Sequence, residues 1–517
     1  MKNAYDTIVL GSGGAGLIAA LQLFEDGGDL LLVSKSPLGL NSCTTYAGGG
    51  FTYAGPGSDP QDHLLQTLEI GRSINDPDLT RIFAYEGPGA VSSLRRWGVS
   101  LREYERGGSV AQGSPIPGVG GMGLTMPLVR ALRDRQLPVL ENHMAVSILC
   151  DDSRVSGVQM VDLNTGKAEL IKCKSVLIAT GGGGRVYGRT NNPVGTTGDG
   201  YALGRELGLP FRDMEFVQFY PIGLNETDLP LWFIDLSIID IAPLVDIDGT
   251  EFLKHYLISL GLTSGQQGNL YARDRASIAI LKEYASNGTA MLHLEKLTAE
   301  QWQGRYLSSV LRLNRPGIYD FTKKPVKVKP LQHYMSGGLV IDCDGSTEVP
   351  GVYACGEVTG GVDGANRIGG NALTNISLFG LRAAKAAMQY NREHEFSQQK
   401  ANPGMSLDDL YKNSCGDQPS VLRQKLQDTM DMYLSPLRDE AGIKTALQII
   451  ADLISQQPRL KISNRSDLRE ALELHSLLDT AELVAQAALT RRESRGVHFR
   501  LDYPLEDPEL AKPVFIR

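Results

Sequence analysis

The sequence predicts an α/β fold on three observations. Asp6 to Ser34 reads as strand, glycine turn, helix and strand, and Ser175 to Thr180 (SVLIAT) gives a second buried-strand pattern that runs into Gly181-Gly182-Gly183-Gly184. Beyond Asn391 the chain turns polar, charged and leucine-spaced. At 517 residues it is too long for one compact core, so two or three domains are expected.

The opening unit is Rossmann-like. Thr7 to Leu10 ends on Gly11-Ser12-Gly13-Gly14-Ala15-Gly16, an apolar helical pattern follows, and Gly27-Gly28 releases it into a second run, Leu30 to Val33. In such a turn Gly11 permits the tight bend, Gly13 lets a pyrophosphate approach the backbone, and Gly16 lets the helix lie close to the sheet. A dinucleotide is therefore expected. The acidic residue usual at the end of the second strand is replaced by Ser34-Lys35, which disfavours NAD.

Further along, Asn41 to Gly50 (NSCTTYAGGG) is too glycine-rich for a regular element and suits close approach by a ligand. Helices are expected around His63 to Gly71 and from Pro77 to Trp97, the second with Asp76 as cap and proline in its first turn. Gly107 to Gly123 is expected as loop and Thr125 to Arg135 as helix. Pro138–Glu141, Val146–Cys150 and Val155–Val161 read as strands, with Asn164-Thr165-Gly166 as a hairpin turn. Thr197-Gly198-Asp199-Gly200 opens another helix. From Pro221 to Pro330 the composition shifts to aromatic and mixed segments, as in an inserted domain. Glycine-rich turns resume at Met335–Gly338 and Val352–Gly356, before a long helix from Asn371 to Gln389. Leucine spacing at Leu422–Leu434, Ile443–Leu453 and Leu468–Ala488 predicts a helical bundle. The division is thus residues 1–220 and 331–390 for the two parts of the nucleotide domain, 221–330 for the insertion, and 391–517 for the helical domain.

Composition narrows the function classes. With 51 basic and 59 acidic residues the net charge is −8, which argues against a nucleic-acid or anionic-membrane surface. Six cysteines stand with no CxxC pair, so neither iron–sulfur nor zinc ligation is suggested. The apolar N-terminal stretch lacks a basic n-region and a small-residue cleavage site, and its glycines interrupt it short of a membrane span. A cytoplasmic protein with no direct membrane insertion is the expectation.

The ordered motifs resemble the flavoprotein family of succinate dehydrogenase, fumarate reductase and L-aspartate oxidase. The pieces are GSGGAG (Gly11 to Gly16), VSK (Val33 to Lys35), NSCTTYAGGG, IATGGGGRVY (Ile178 to Tyr187), TGDGYALG (Thr197 to Gly204), EFVQFYPIGL (Glu215 to Leu224), ARDRAS (Ala272 to Ser277), HYMSGG (His333 to Gly338), ACGEVTGGVDGANRIGGNAL (Ala354 to Leu373) and ESRGVHFRLDYP (Glu493 to Pro504). They follow family order along the whole chain.

The resemblance implies a Rossmann-like FAD-binding domain with an inserted α+β capping domain and a C-terminal helical domain. It also implies hydride transfer between flavin N5 and a carbon beside a carboxylate-bearing carbon. Cofactor contacts are implied at Gly11, Gly13, Gly14, Ala15 and Gly16, at Ser34 and Lys35 near the adenosine, and at Ser42, Cys43, Thr44, Gly49 and Gly50. They are implied too at Val146, at Ala179, Thr180 and Gly181, at Asp199 and Glu357, and at Asn371, Ala372 and Leu373. Membrane-bound relatives attach FAD to a histidine at the position of Cys43, so noncovalent FAD is expected here and a cysteinyl link disfavoured.

By the same resemblance Arg273, in ARD where the family has PRD, is the proton-transfer residue, and His333 and Arg367 bind a carboxylate. Arginine suits the task because its two parallel hydrogen bonds fix direction as well as charge. Two departures shape the substrate. Tyr220 stands where fumarate-specific relatives have histidine. Their threonine–glutamate pair and following arginine align with Ile234-Asp235 and Ile238. A phenol and an acid facing the substrate's far end suit a neutral or cationic group better than a second anion. The expected substrate is an α,β-unsaturated monocarboxylic acid, aryl or heterocyclic, reduced or formed in the reverse dehydrogenation. The alternatives are L-aspartate oxidase-like oxidation and a flavin-bearing electron-transfer subunit of a larger complex. An electron-transfer partner subunit or a diffusible reduced flavin is implied as donor, whereas the oxidase-like reading passes electrons to oxygen or fumarate.

Overall fold

The computed structural model describes residues 2–111, 119–151, 154–397 and 416–517. Its central sheet has seven strands, in the order Val139–Glu141, Leu30–Ser34, Ala4–Leu10, Ala168–Ile178, Val155–Asp162, His143–Cys150, with Val352–Ala354 also pairing with Ala168–Ile178. Ala4–Leu10 is parallel to both neighbours, with Ile8 opposite Leu31 and Val176. Ala168–Ile178 pairs in both senses within this sheet: its first half closes an antiparallel hairpin with Val155–Asp162, and its end pairs in parallel with Val352–Ala354. That end, Ile178, is where the SVLIAT pattern returns the chain to the nucleotide sheet.

The first strand hands over to the helix Gly14–Glu25 as expected. Gly11 has φ +108°, a region that favours glycine, and a Cβ on Gly16 would run into the Gly11 carbonyl oxygen, so the helix can seat on the turn only with glycine there. The long helix Asn371–Glu393 packs along Gly14–Glu25, and both contribute to one large apolar core.

A separate apolar core, bounded by Ile222 and Val328, fills the segment expected as the insertion. The chain enters it through Val217–Tyr220 and leaves through Leu331–Met335, and these two strands are paired antiparallel. Their register breaks between Gln218 and Phe219, whose partners are Tyr334 and Gln332, so His333 is the extra residue of a β-bulge. The helices Pro419–Tyr433, Glu440–Gln456 and Arg465–Thr490 follow the predicted leucine spacings, and their apolar faces join the main core.

Two loop expectations change. Ser42 caps a short helix, Cys43–Tyr46, inside the glycine-rich stretch, accepting a hydrogen bond from the Thr45 amide. Gly107–Val110 is a strand, paired with Leu101–Tyr104 and Gly50–Phe51, and Met122 already begins the next helix. Backbone pairing there outweighs the glycine content. The expected loop residues 112–118 lie outside the described residues, as do residues 398–415 of the expected helical domain.

A buried ion network ties the C-terminal motif to the neck strands. Arg491, 2% exposed, pairs with Glu215 at 2.5 Å and Glu493 at 2.8 Å and stands 3.8 Å from Asp213. Arg438 donates to the Glu215 carbonyl at 2.8 Å. Arg495 pairs with Glu493 and donates to the Arg72 carbonyl, while the Val497 amide donates to the Ala365 carbonyl at 3.0 Å. The loop that carries Arg367 is therefore held from both sides, since the Ala365 amide donates to Gly71. Arg491→Ala would strand the buried carboxylates of Glu215 and Asp213. It should lower unfolding free energy by about 3–5 kcal/mol in urea denaturation.

Candidate functional site

One cavity of about 490 Å³ runs from Ser34 and Lys35, past Gly11–Ala15, to Tyr220, Arg273, His333 and Arg367. The sequence expectation places most of its residues on this wall: Ser42, Cys43, Thr44, Gly49, Gly50, Ala179, Thr180, Gly181, Asp199, Glu357, Ala372 and Leu373 all line it, and so does Asp235. Gly16 lies behind the turn, where its role is packing. Two further expected residues do not reach the cavity. Val146 sits at a register break in its strand and packs on a small cluster of Met144, Leu468 and Leu472. Asn371, at the helix start, is fully buried and turned toward His63, 3.2 Å from its Nε2.

The nucleotide end is ready for an anion. The helix Gly14–Glu25 has no side-chain cap at Gly13 and no acid in its first turn; its Gly14 amide donates to Thr44 Oγ1 at 3.1 Å, and the N-terminal end of the helix otherwise faces the cavity as an anion site. Thr180 Oγ1 is buried without a partner close by. Lys35 reaches Asp199 at 2.9 Å and Glu473 at 3.3 Å, which fastens this end of the cavity to the C-terminal helix Arg465–Thr490. These features fit a dinucleotide.

At the other end, elements from distant parts of the chain converge. Tyr220 closes one neck strand and His333 protrudes from the bulge of the other. Arg273 begins the helix Arg273–Asn287, and Arg367 lies on the braced loop. Tyr220 Oη lies 3.0 Å from Asp235 Oδ2 and 3.0 Å from Asn269 Oδ1. Asp235 also accepts from the Ser237 amide and hydroxyl, which fixes the carboxylate. Arg273 Nε donates to Asn269 Oδ1 at 2.9 Å, and its guanidinium carbon stands 4.9 Å from the Tyr220 ring centre. Arg367 stacks on Tyr334 at 4.0 Å and donates to Gln218 Oε1 at 3.2 Å, with its Nε buried and unpartnered.

Charge is set by burial. His333 is held well below the ordinary histidine pKa by burial first and then by the Arg367 and Arg273 cations, so it is neutral at pH 7. Its Nδ1 meets the Asn191 amide at 3.1 Å. Burial raises the Cys43 thiol, keeping it protonated and weakly nucleophilic. The same cause lifts Glu357 to about 7 and Asp363, which accepts from Tyr334, to about 6.

Several lining residues carry no motif signal. Phe233 lies 4.4 Å from Tyr220 and 5.6 Å from His333, ring centre to ring centre, and Trp232 stacks on it. The adjacent aromatic pair two residues before Asp235 was their only mark in the sequence. Asn191 and Asn269 had none beyond the latter's spacing of four from Arg273. Ile234 and Ile238 are packed in the capping core and bring no charge to the cavity.

A family profile described as an FAD binding domain matches residues 6–373, and one described as fumarate reductase flavoprotein C-term matches residues 423–511. Fold, cavity and these matches define an FAD-dependent oxidoreductase. A fumarate reductase flavoprotein subunit of Mycobacterium tuberculosis is 30% identical over 98% of this chain and 94% of its own length. An L-aspartate oxidase of Mycobacterium bovis is 31% identical over 100% of this chain and 96% of its own. Among solved structures, E. coli quinol fumarate reductase superposes with a TM-score of 0.86 at 26% identity, covering 98% of this chain and 92% of that one. The chain belongs to the succinate dehydrogenase/fumarate reductase flavoprotein family, which includes L-aspartate oxidase. Among the described residues no cluster of His, Cys, Asp or Glu could hold a metal, and no helix is long and apolar enough to cross a membrane.

A carboxyl whose folded pKa is raised stabilises fully below its unfolded value and loses that contribution as pH climbs through the folded one. For Glu357 the window runs from its ordinary 4.5 to about 7. Thermal unfolding of the parent from about pH 5 to about pH 8 should therefore show a fall in Tm that Glu357→Gln flattens.

Proposed function

We propose that this enzyme reduces an α,β-unsaturated monocarboxylic acid bearing an aromatic or heterocyclic ring, or runs the reverse dehydrogenation. FAD, when bound and reduced by its electron donor, would supply the hydride for the β carbon and be left oxidised. Arg367 and neutral His333 hold the carboxylate, which polarises the double bond, and Arg273 gives the α carbon its proton, leaving the saturated acid. A buried, partly unpaired Arg367 offers its remaining N–H groups to the acid.

The observation that carries the reading is the wall around Tyr220. Three aromatic rings and the Asp235 carboxylate meet there, and Arg273, the cation beside Tyr220, is assigned to proton transfer, so a second substrate carboxylate would face the acid. Asp235 and the Tyr220 hydroxyl suit a ring carrying a hydrogen-bond donor.

On the cofactor side, the turn Gly11–Ala15, Ser34, Lys35, Asp199 and Thr180 would hold the nucleotide and pyrophosphate. Ser42, Cys43, Thr44, Gly49, Gly50, Ala179, Gly181, Glu357, Ala372 and Leu373 would surround the remainder. Electrons would come from a separate protein or reduced flavin, a reading supported by relatives that bear the name of subunits.

A second reading, oxidation of an amino acid, is favoured by the L-aspartate oxidase relative, and Asp235 could meet an ammonium group. Oxidised enzyme given L-aspartate would then release hydrogen peroxide. Photoreduced enzyme offered cinnamate, 4-hydroxycinnamate, urocanate and fumarate should reoxidise fastest with a ring-bearing acid, followed by flavin absorbance. Equal or faster reoxidation by fumarate would sink the proposal. Asp235→Asn should raise KM for the preferred ring acid about tenfold, the scale of one charge-assisted hydrogen bond. With the Cys43 thiol protonated, acid precipitation should leave the flavin in the supernatant and the pellet colourless.

A further inference from the structure

Asn269 joins Arg273 to the Tyr220–Asp235 pair. A side-chain amide has one accepting and one donating face. Its Oδ1 lies 2.9 Å from Arg273 Nε, which can only donate, and its Nδ2 lies 2.9 Å from Asp235 Oδ2. Turned over, the amide would set N–H against N–H and oxygen against carboxylate, so its orientation is fixed by both neighbours.

Asn269 is 8% exposed and belongs to the helix Gly265–Tyr271. Ala272, at φ −141°, ends that helix and caps the next, so Asn269 and Arg273 stand on separate helices that meet at the cavity. Tethering Nε leaves the planar guanidinium little freedom. The Tyr220 ring covers one side of it, and Nη2 abuts Gly369, where a Cβ would come within 2.8 Å. Both Nη groups remain for the ligand.

We propose that Asn269 is a positioning residue that aims Arg273 at the reacting carbon and keeps it in register with the Tyr220–Asp235 end of the cavity. This rests on the assignment of Arg273 as proton donor. A substrate ring seated on Asp235 then sharpens the placement of the proton donor, so that binding far from the double bond is expressed in turnover.

The test uses FAD-loaded Asn269→Ala and the near-isosteric Asn269→Leu, with whichever acid of the panel above the parent reduces fastest. Turnover should fall on the order of 10- to 100-fold, as expected for a misaimed reacting group, with KM changed by no more than about threefold. FAD content and flavin absorbance should match the parent. The paired exchange Asn269→Asp with Asp235→Asn keeps an acceptor for Nε and a donor between the two side chains, without setting two carboxylates against each other, and should recover about tenfold of the lost turnover. Unchanged kcat, an effect confined to KM, loss of FAD from all of these variants, or no recovery of kcat in the paired exchange overturns the proposal. Because the acid is chosen by the parent's own preference, a parent that favours fumarate refutes the ring-acid reading and leaves this test intact.

Discussion

The antiparallel pairing of Val217–Tyr220 with Leu331–Met335 is the constraint on which the site depends. These two short strands are the doorway of the insertion, and they deliver Tyr220 from the end of one and His333 and Tyr334 from the other to the cavity. Slipping their register by one residue would turn His333 away and bury it, since neighbouring strand residues face opposite sides. The bulge thus has a chemical purpose: it lets His333 face the ligand while Gln332 and Tyr334 stay packed on either side. The buried pairs of Glu215 and Asp213 with Arg491 anchor the start of the first strand and so protect the register.

Electrostatic design follows from where the charges are placed. Two arginines reach the cavity from elements far apart in sequence, and the histidine between them is kept neutral by their field and by burial. A neutral imidazole can donate or accept without adding charge, so the positive charge at this end of the cavity is carried by the guanidinium groups of Arg273 and Arg367. Arg367 is steadied by the face of Tyr334, whose hydroxyl is in turn held by Asp363. Asp235 stands behind an amide and a phenol, which keeps its charge hydrogen-bonded while the aromatic rings beside it stay apolar.

Much of this was legible in the sequence because backbone geometry leaves a residue signature. The glycines of Gly11–Gly16 are demanded by a tight turn and close helix packing, and Asp76-Pro77 and the leucine spacings mark real helices. The catalytic candidates were legible only through motif resemblance, since nothing in the spacing of Tyr220, Arg273, His333 and Arg367 announces their meeting. Trp232, Phe233, Asn191 and Asn269 stayed hidden because they act through tertiary placement. Val146 and Asn371 were misplaced by one step of local geometry: a register break in one case, and in the other a helix-start side chain that turns to His63. The helix Cys43–Tyr46 and strand Gly107–Val110 were masked by glycine, whose intrinsic reluctance is overcome by a serine cap and by ladder pairing.

The brace on the Arg367 loop bears on how the protein is made. The loop takes its hydrogen bond from Val497, in a segment that leaves the ribosome long after Arg367 itself. The nucleotide sheet can form while translation continues, but the loop that carries Arg367 gains its full support only when Glu493–Arg500 has emerged and docked. Lys35 at the nucleotide end likewise meets Glu473 only once the helix Arg465–Thr490 has been made, so both ends of the cavity are completed by the chain beyond Arg465.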